Sequence, residues 1–271
     1  MNRWTESEIQ FVKDNYKTMD ATLIANHLGR TISSMQIKAN RLGVKKEGIH
    51  HYCENFFEDI TTTDRAYWLG FIYADGYVCK DKNKPNTYYF GIELGINDKS
   101  HLLKFNKNIQ GNAYISTRYR VSETNGKIVS GTVCSLRIYS TQMAKDLIKH
   151  GCCLNKSLVK EQPIGIPDEY MRDFVRGYFD GNGTIAMRYC GKAKRPYYIS
   201  QISTGSEQFA AWLSEYLVSI GIENYRTHGR RNEYKICVCV KDSIKFMRYI
   251  YDESHEYLSR KYDLYKIAVY G

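Results

Sequence analysis

The sequence predicts an α+β fold: two pseudo-symmetric halves, each running helix, strand, strand, helix, strand, strand, helix (αββαββα), preceded by a small three-helix domain. Three observations predict it. An apolar helix ending in one carboxylate, Trp68 to Gly76 (W-L-G-F-I-Y-A-D-G), has a second copy at Val175 to Gly183 (V-R-G-Y-F-D-G-N-G). Behind each copy, stretches of strand alternation and helical period follow in the same order. Ahead of both, residues 4–43 carry three short helical patterns. The expected boundaries are 1–46 for the helical domain, 47–60 for a linker, 61–160 for the first repeat and 161–271 for the second.

In the first domain, Thr5-Glu6-Ser7-Glu8 reads as a capping box, with Ile9, Val12 and Tyr16 following at helical spacing. Met19 to Leu28 is a short second helix stopped by Gly29. Thr31 caps a third, with Ile32, Met35, Ala39 and Leu42 on one face and Ser33, Ser34, Ile37, Lys38 and Arg41 on the other. That division suits a recognition helix, apolar side inward and polar, basic side towards a groove. It also suits an ordinary bundle with a solvated face. Residues 44–60 mix charge and glycine without a period and read as a linker, in which His50-His51 are solvated.

The first motif helix has Ala66, Gly70 and Ala74 four apart, on one face, where a second helix can approach closely. Taken alone it reads equally as a core helix with a turn behind it. Strands are expected at Tyr77–Lys80, Thr87–Asn97, Ala113–Val121 and Thr132–Tyr139, with helices at Ser100–Ile109 and Thr141–His150. In the second half Asp168 caps the motif helix after Pro167. Strands at Thr184–Cys190, Pro196–Thr204, Asn224–Gly229 and Glu233–Val240 alternate with helices at Ser206–Ile220, from Ser243 and from Glu256. A repeat of about 105–110 residues is too long for a solenoid unit and marks a duplicated domain. Gly177 and Gly181 fall where the first copy has Gly70 and Ala74, so Asp75 aligns with Asn182. Each half then offers a four-stranded antiparallel sheet with one face on helices and one face open. On the open faces the alternation places Tyr114, Ser116, Arg118, Arg120, Ser135, Arg137 and Tyr139 in the first half. In the second it suggests Arg188, Gln201, Ser203, Arg226, His228, Arg230 and Lys235.

Composition narrows the class. The chain has 271 residues, with 39 Lys and Arg against 29 Asp and Glu, a net of +10. The excess is spread over all three parts, which suits a long polyanion better than one acidic pocket. No signal peptide and no apolar run near the ~20 residues of a membrane span are found, so a soluble, cytoplasmic, non-secreted protein is expected. The eight cysteines form no C-x-x-C pair and read as free, mostly buried thiols.

With these residues in place, A-Y-W-L-G-F-I-Y-A-D-G-Y-V (Ala66 to Val78) and F-V-R-G-Y-F-D-G-N-G-T-I (Phe174 to Ile185) resemble the LAGLIDADG homing endonucleases in their single-chain, two-motif form, from about Phe56 to the C-terminus. The first domain resembles Myb/SANT-like helix-turn-helix modules through W-T-E-S-E and L-G-R-T-I-S-S-M-Q-I-K-A-N-R-L-G. The resemblance implies a DNA-binding saddle and a monomer cutting double-stranded DNA at a long specific site. Phosphodiester hydrolysis needs an activated water and charge neutralisation, which carboxylate-held Mg²⁺ or Mn²⁺ supplies. The resemblance makes Asp75 and Asn182 the metal ligands and puts a basic residue near each phosphate, Lys156 and Lys261, with Arg260 close to the latter. It makes Ser34, Lys38, Arg41, Arg118, Arg120, Arg137, Arg188, Arg226, Arg230 and Lys235 candidates for DNA contact. Asn182 departs from the pattern, because an amide keeps one oxygen but no charge. Asp180 cannot replace it, since two helical residues are rotated by about 200°. Double-strand cleavage, nicking of one strand, a DNA-binding regulator and an RNA maturase remain the alternatives.

Overall fold

The computed structural model describes residues 3–17, 19, 21–44, 51–124, 127–154, 161–191, 195–229 and 233–271. The chain divides into two compact units, Met1–His51 and Tyr52–Gly271.

The first unit holds α1 (Glu6–Asn15), α2 (Ala21–His27) and α3 (Ile32–Arg41). The capping box forms: Glu8 N–H donates to Thr5 Oγ1 at 3.3 Å and Thr5 N–H to Glu8 Oε2 at 2.8 Å. Thr31 caps α3 by accepting from the Ser34 amide. Val12, Ile24, Met35 and Ala39 are fully buried and make the unit's core, while Ile32 stays 41% exposed.

The second unit contains both repeats. The first is α4 (Thr63–Asp75), β1 (Gly76–Lys80), β2 (Tyr88–Gly95), α5 (Lys99–Asn108), β3 (Ile115–Thr124), β4 (Lys127–Ile138) and α6 (Thr141–Lys149). The second is α7 (Asp168–Asn182), β5 (Gly183–Cys190), β6 (Arg195–Thr204), α8 (Glu207–Ser219), β7 (Asn224–His228), β8 (Tyr234–Val238), α9 (Ser243–Tyr251) and α10 (Ser259–Tyr270). Each forms one antiparallel four-stranded sheet, in the orders β1-β2-β4-β3 and β5-β6-β8-β7. The α+β architecture of two matched halves is thus the observed one. The β3–β4 hairpin is longer than the alternation suggested, with ladder partners out to Thr124 and Lys127.

The linker was placed at 47–60, yet Phe56, Phe57 and Ile60 belong to the core of the second unit, Phe57 with no exposure at all. They pack without regular secondary structure, so no periodicity announced them. His50 of the expected pair lies outside the described residues. All eight cysteines are free, but only Cys134, Cys152 and Cys237 are buried, and Cys190 is exposed. Among the described residues no helix is long and apolar enough to cross a membrane.

The core is centred on α4 against α7. An added Cβ on Gly70 would fall 2.1 Å from the Phe174 carbonyl oxygen, and one on Gly177 would fall 1.9 Å from the Tyr67 carbonyl oxygen. Only glycine lets the two backbones meet at that distance. Around the crossing, Trp68, Phe71, Tyr73, Phe174 and Tyr178 are all within 1% of complete burial. Each such side chain contributes about 1.5–3 kcal/mol by leaving water.

Gly177→Ala should cost about 3 kcal/mol or more by driving backbone against backbone, whereas Gly131→Ala on β4, with nothing within 4 Å, should leave the urea midpoint nearly unchanged. In the first unit, hydrogen bonds from Arg30 and the Thr5 amide hold the Glu8 carboxyl at about 2, below its ordinary 4.5. A lowered pKa stabilises above the unfolded value, so helicity of this unit should fall between pH 4.5 and 2. Circular dichroism of the full chain should show less of that loss in Glu8→Gln.

Candidate functional site

Asp75 is the last residue of α4 and Asn182 the last of α7. Below them the helix contact continues: a Cβ on Gly181 would lie 2.4 Å from Ala74 Cβ and 3.5 Å from Asp75 Cγ. The Asn182 side chain crosses between the halves, its Nδ2 donating to the Ala74 carbonyl at 3.4 Å and, within its own helix, to the Tyr178 hydroxyl at 3.4 Å. The structure therefore brings the two predicted ligands together, both half-buried. With the amide nitrogen turned to protein acceptors, Oδ1 is the atom of Asn182 available to a cation. Burial pushes the Tyr178 hydroxyl up to about 12, so it stays an uncharged partner. One carboxylate and one amide oxygen form a hard, oxygen-only donor set, which fits Mg²⁺ or Mn²⁺ completed by water and phosphate. Among the described residues no group of three or more acidic, histidine or cysteine side chains is arranged to hold a metal ion.

Asp180 has a different task. It has no solvent exposure and accepts from Tyr67 Oη at 2.7 Å, Tyr251 Oη at 2.5 Å and the Leu258 amide at 2.7 Å. Burial raises its carboxyl, opposed by the Lys261 charge and these donors. Lys261 is only 2% exposed. Its Nζ donates to the carbonyls of Phe179 and Asp180 at 2.6 and 2.7 Å, where the negative end of the α7 dipole favours a cation. Burial lowers this ammonium to about 8 while Asp180 supports its charge. The lysine expected beside a phosphate thus sits beneath the end of α7. Arg260 is exposed and paired with Asp98 at 3.0 Å. Lys156 lies outside the described residues.

On the first sheet Arg118, Arg120 and Arg137 share the open face with Asp75, lining one hollow of about 450 Å³. Arg137 donates to Tyr77 Oη at 3.4 Å and Tyr139 Oη at 3.3 Å and lies 5.5 Å above the Tyr89 ring. Bonds to Tyr139 and Tyr77 hold it firmly protonated. The sequence reading singled out neither Tyr77 nor Glu93, which line the same hollow. Their parity with Asp75 and Ser135 along the strands was the available signal.

On the second sheet the ladder fixes the faces. Thr184 pairs Gln201 and Gln201 pairs Cys237; Ser203 pairs Lys235 and Lys235 pairs Thr227. Arg188, opposite Tyr197, and Lys235 are on this open face, joined by Tyr225 and Thr227. Arg226 is not. It pairs with fully buried Ile236 and lines a hollow beside Glu207 and Ala210 of α8. His228 lies on the same helix side, stacked 4.7 Å from Tyr234. The expectation that Arg226 and His228 face outward is corrected. Asn224-Tyr-Arg-Thr-His lacks an apolar residue to set its phase, and a one-residue shift inverts every side chain. Arg230 lies outside the described residues.

Within the first unit, Ser34, Lys38 and Arg41 line a hollow of about 1200 Å³ with Ile37, Arg3 and Trp4. Arg30 lies 4.2 Å above the Trp4 ring while donating to both Glu8 oxygens at 2.9 Å. Arg3, Trp4 and Arg30 were not among the predicted contacts.

Residues 169–266 match the family model described as the LAGLIDADG-like domain. The chain is 38% identical over 64 residues to the uncharacterized Listeria innocua protein Lin2408, spanning 22% of this chain and 84% of that one. It is 26% identical over 160 residues to the uncharacterized Lin1255/Lin1742 of the same organism, spanning 54% and 69%. The meganuclease I-SmaMI bound to uncleavable DNA with a TTGT central four gives a TM-score of 0.51 at 15% identity, covering 78% of this chain and 89% of that one. At such identity the likeness is one of fold. I-DmoI in complex with DNA and Mn gives 0.45 at 16% identity, over 75% and 99%.

Asp180→Asn keeps the shape but removes the charge opposite Lys261 and replaces one acceptor by a donor. It should cost about 3 kcal/mol, read as a lowered urea midpoint.

Proposed function

This chain belongs to the family of LAGLIDADG-like proteins, and from that membership we propose that it is a site-specific endonuclease of double-stranded DNA, hydrolysing phosphodiester bonds with Mg²⁺ or Mn²⁺ held between Asp75 and Asn182. The observation that carries the reading is the glycine-mediated crossing of α4 and α7, which delivers an acid and an amide to adjacent helix ends. The bound cation would activate water and neutralise charge on the leaving oxygen. Asp75 supplies the one charged oxygen of the pair, and Asn182 supplies a neutral one. Arg137 and the exposed Arg118 and Arg120 place positive charge on the face beside Asp75, where phosphates and guanine edges would be engaged. Arg188, Lys235, Tyr225 and Thr227 offer a more sparsely charged face in the second half. In the first unit, Ser34, Lys38 and Arg41 on α3 would contact DNA and lengthen the recognised site. The chain would act as a monomer, since both halves of the ligand pair come from one polypeptide.

Asn182 favours a second reading on the same scaffold: preferential nicking of one strand, or binding with little cleavage. With one carboxylate where two would share the cation, affinity and water activation on that side are reduced.

Selection of cleaved sites from a randomised duplex library with Mg²⁺ or Mn²⁺ should return one long site. On a supercoiled plasmid carrying it, Asp75→Asn should lower turnover at least about a hundredfold, and Asn182→Asp should raise the ratio of linear to nicked product. Lys235→Ala should weaken duplex binding and reduce the salt slope by about 1, whereas Arg226→Ala should leave both unchanged. The nuclease reading fails if neither the wild type nor Asn182→Asp converts supercoiled DNA with any divalent ion.

A further inference from the structure

Among the described residues, the open face of the first sheet carries one carboxylate besides Asp75, that of Glu93, on a surface otherwise rich in arginine. Glu93 lies on β2 opposite Ser135 of β4, which in turn lies opposite Ser116 of β3. Arg118 and Arg120 both belong to β3, so β4 separates them from Glu93. They nevertheless reach it: Arg118 Nη2 donates to Oε2 at 2.7 Å and Arg120 Nη1 to Oε1 at 2.8 Å. One carboxylate thus holds two guanidinium groups, one on each oxygen. Of the β4 positions crossed on this face, Gly131 and Ser135 are small, and Val133 stands opposite Arg118. Ser116 and Ser135 hydrogen-bond to each other at 2.9 Å, and Gly131 stands opposite Arg120. The side chains of Arg118 and Arg120 remain 65% and 55% exposed, against 22% for Glu93. Each guanidinium has five donors and spends one on the clamp.

Resting on the DNA-cleaving reading above, we propose that Glu93 is a specificity-determining positioning residue. It lays Arg118 and Arg120 across the sheet so that their remaining donors meet base edges in fixed orientation, at the expense of non-specific attraction. Two unclamped arginines would sample many rotamers and settle on phosphates, which bind any sequence. Clamped, they retain the planar, two-donor edge that matches guanine O6 and N7. The same carboxylate cancels one unit of positive charge on a DNA-facing surface. Removing it therefore acts in opposite directions on affinity and discrimination, a signature that simple loss of structure does not produce. The ion pairs are exposed and lie away from the core, so the variants are expected to fold.

The test uses the full chain and a randomised duplex library, in Ca²⁺ or without divalent ion so that binding is read alone. The wild type should select a site whose half bound by the first repeat contains strongly preferred guanines. Glu93→Gln should bind random duplex several-fold tighter, with a salt slope steeper by about 1, and should lose about tenfold in preference at those guanines. Glu93→Asp keeps the charge but is too short to reach both arginines; it should lose the preference while binding random duplex less tightly than Glu93→Gln. An unchanged preference in both variants overturns the proposal and leaves the nuclease reading intact. A wild type that selects no site from the library overturns that reading, and this proposal with it.

Discussion

The structure depends on two glycine contacts, Gly70 against Phe174 and Gly177 against Tyr67. Everything else near the site is a consequence of how closely these permit α4 and α7 to run. With the backbones in contact, their final residues emerge side by side, and the strands that begin immediately after, at Gly76 and Gly183, diverge into separate sheets. A methyl group at either glycine would part the helices, and the Asn182 amide would lose the Ala74 carbonyl. The placement of Asp75 and Asn182 and the packing of the core are in that sense one constraint.

Electrostatically the two halves are unlike. The first holds the carboxylate of Asp75 and an open face with three arginines. The second has an amide at the matching position and a face built mostly of hydroxyl, amide and thiol groups around Lys235. The remaining acid at the end of α7, Asp180, is committed to the interior by three donors and a buried ammonium. A buried pair of this kind stabilises little by itself, but losing either member strands a charge. Asp180 and Lys261 therefore support the site without facing it.

Much of this was legible in the sequence, for identifiable reasons. The duplicated motif fixed the two halves, and the order of strands and helices followed from periodicities with clear apolar phases, as on β2, where Phe90, Ile92 and Leu94 are buried. The small residues at Gly70 and Gly177 announced a close crossing. What could not be read lacked a phase or a local signature. The polar strand β7 offered no apolar residue to orient it, so Arg226 was assigned to the wrong face. Phe57 is in the core without belonging to a regular element. Lys261 looks like any surface lysine until the helix end above it is placed, and the Glu93 clamp spans three strands whose register only the fold supplies.

The Tyr67–Asp180 hydrogen bond joins the first half to the second at 2.7 Å. By the alignment that equates Gly70 with Gly177, the counterpart of Tyr67 is Phe174 and the counterpart of Asp180 is Tyr73. The bond thus has no mirror image. A homodimer assembled from second halves alone would face each Asp180 with a phenyl ring in place of a phenol, and one assembled from first halves would lack the acid altogether. Whatever symmetric ancestor preceded the duplication, its descendants have become complementary halves. Chimaeras that exchange one half for a relative's must bring a hydroxyl to position 67 or forgo the acid at 180.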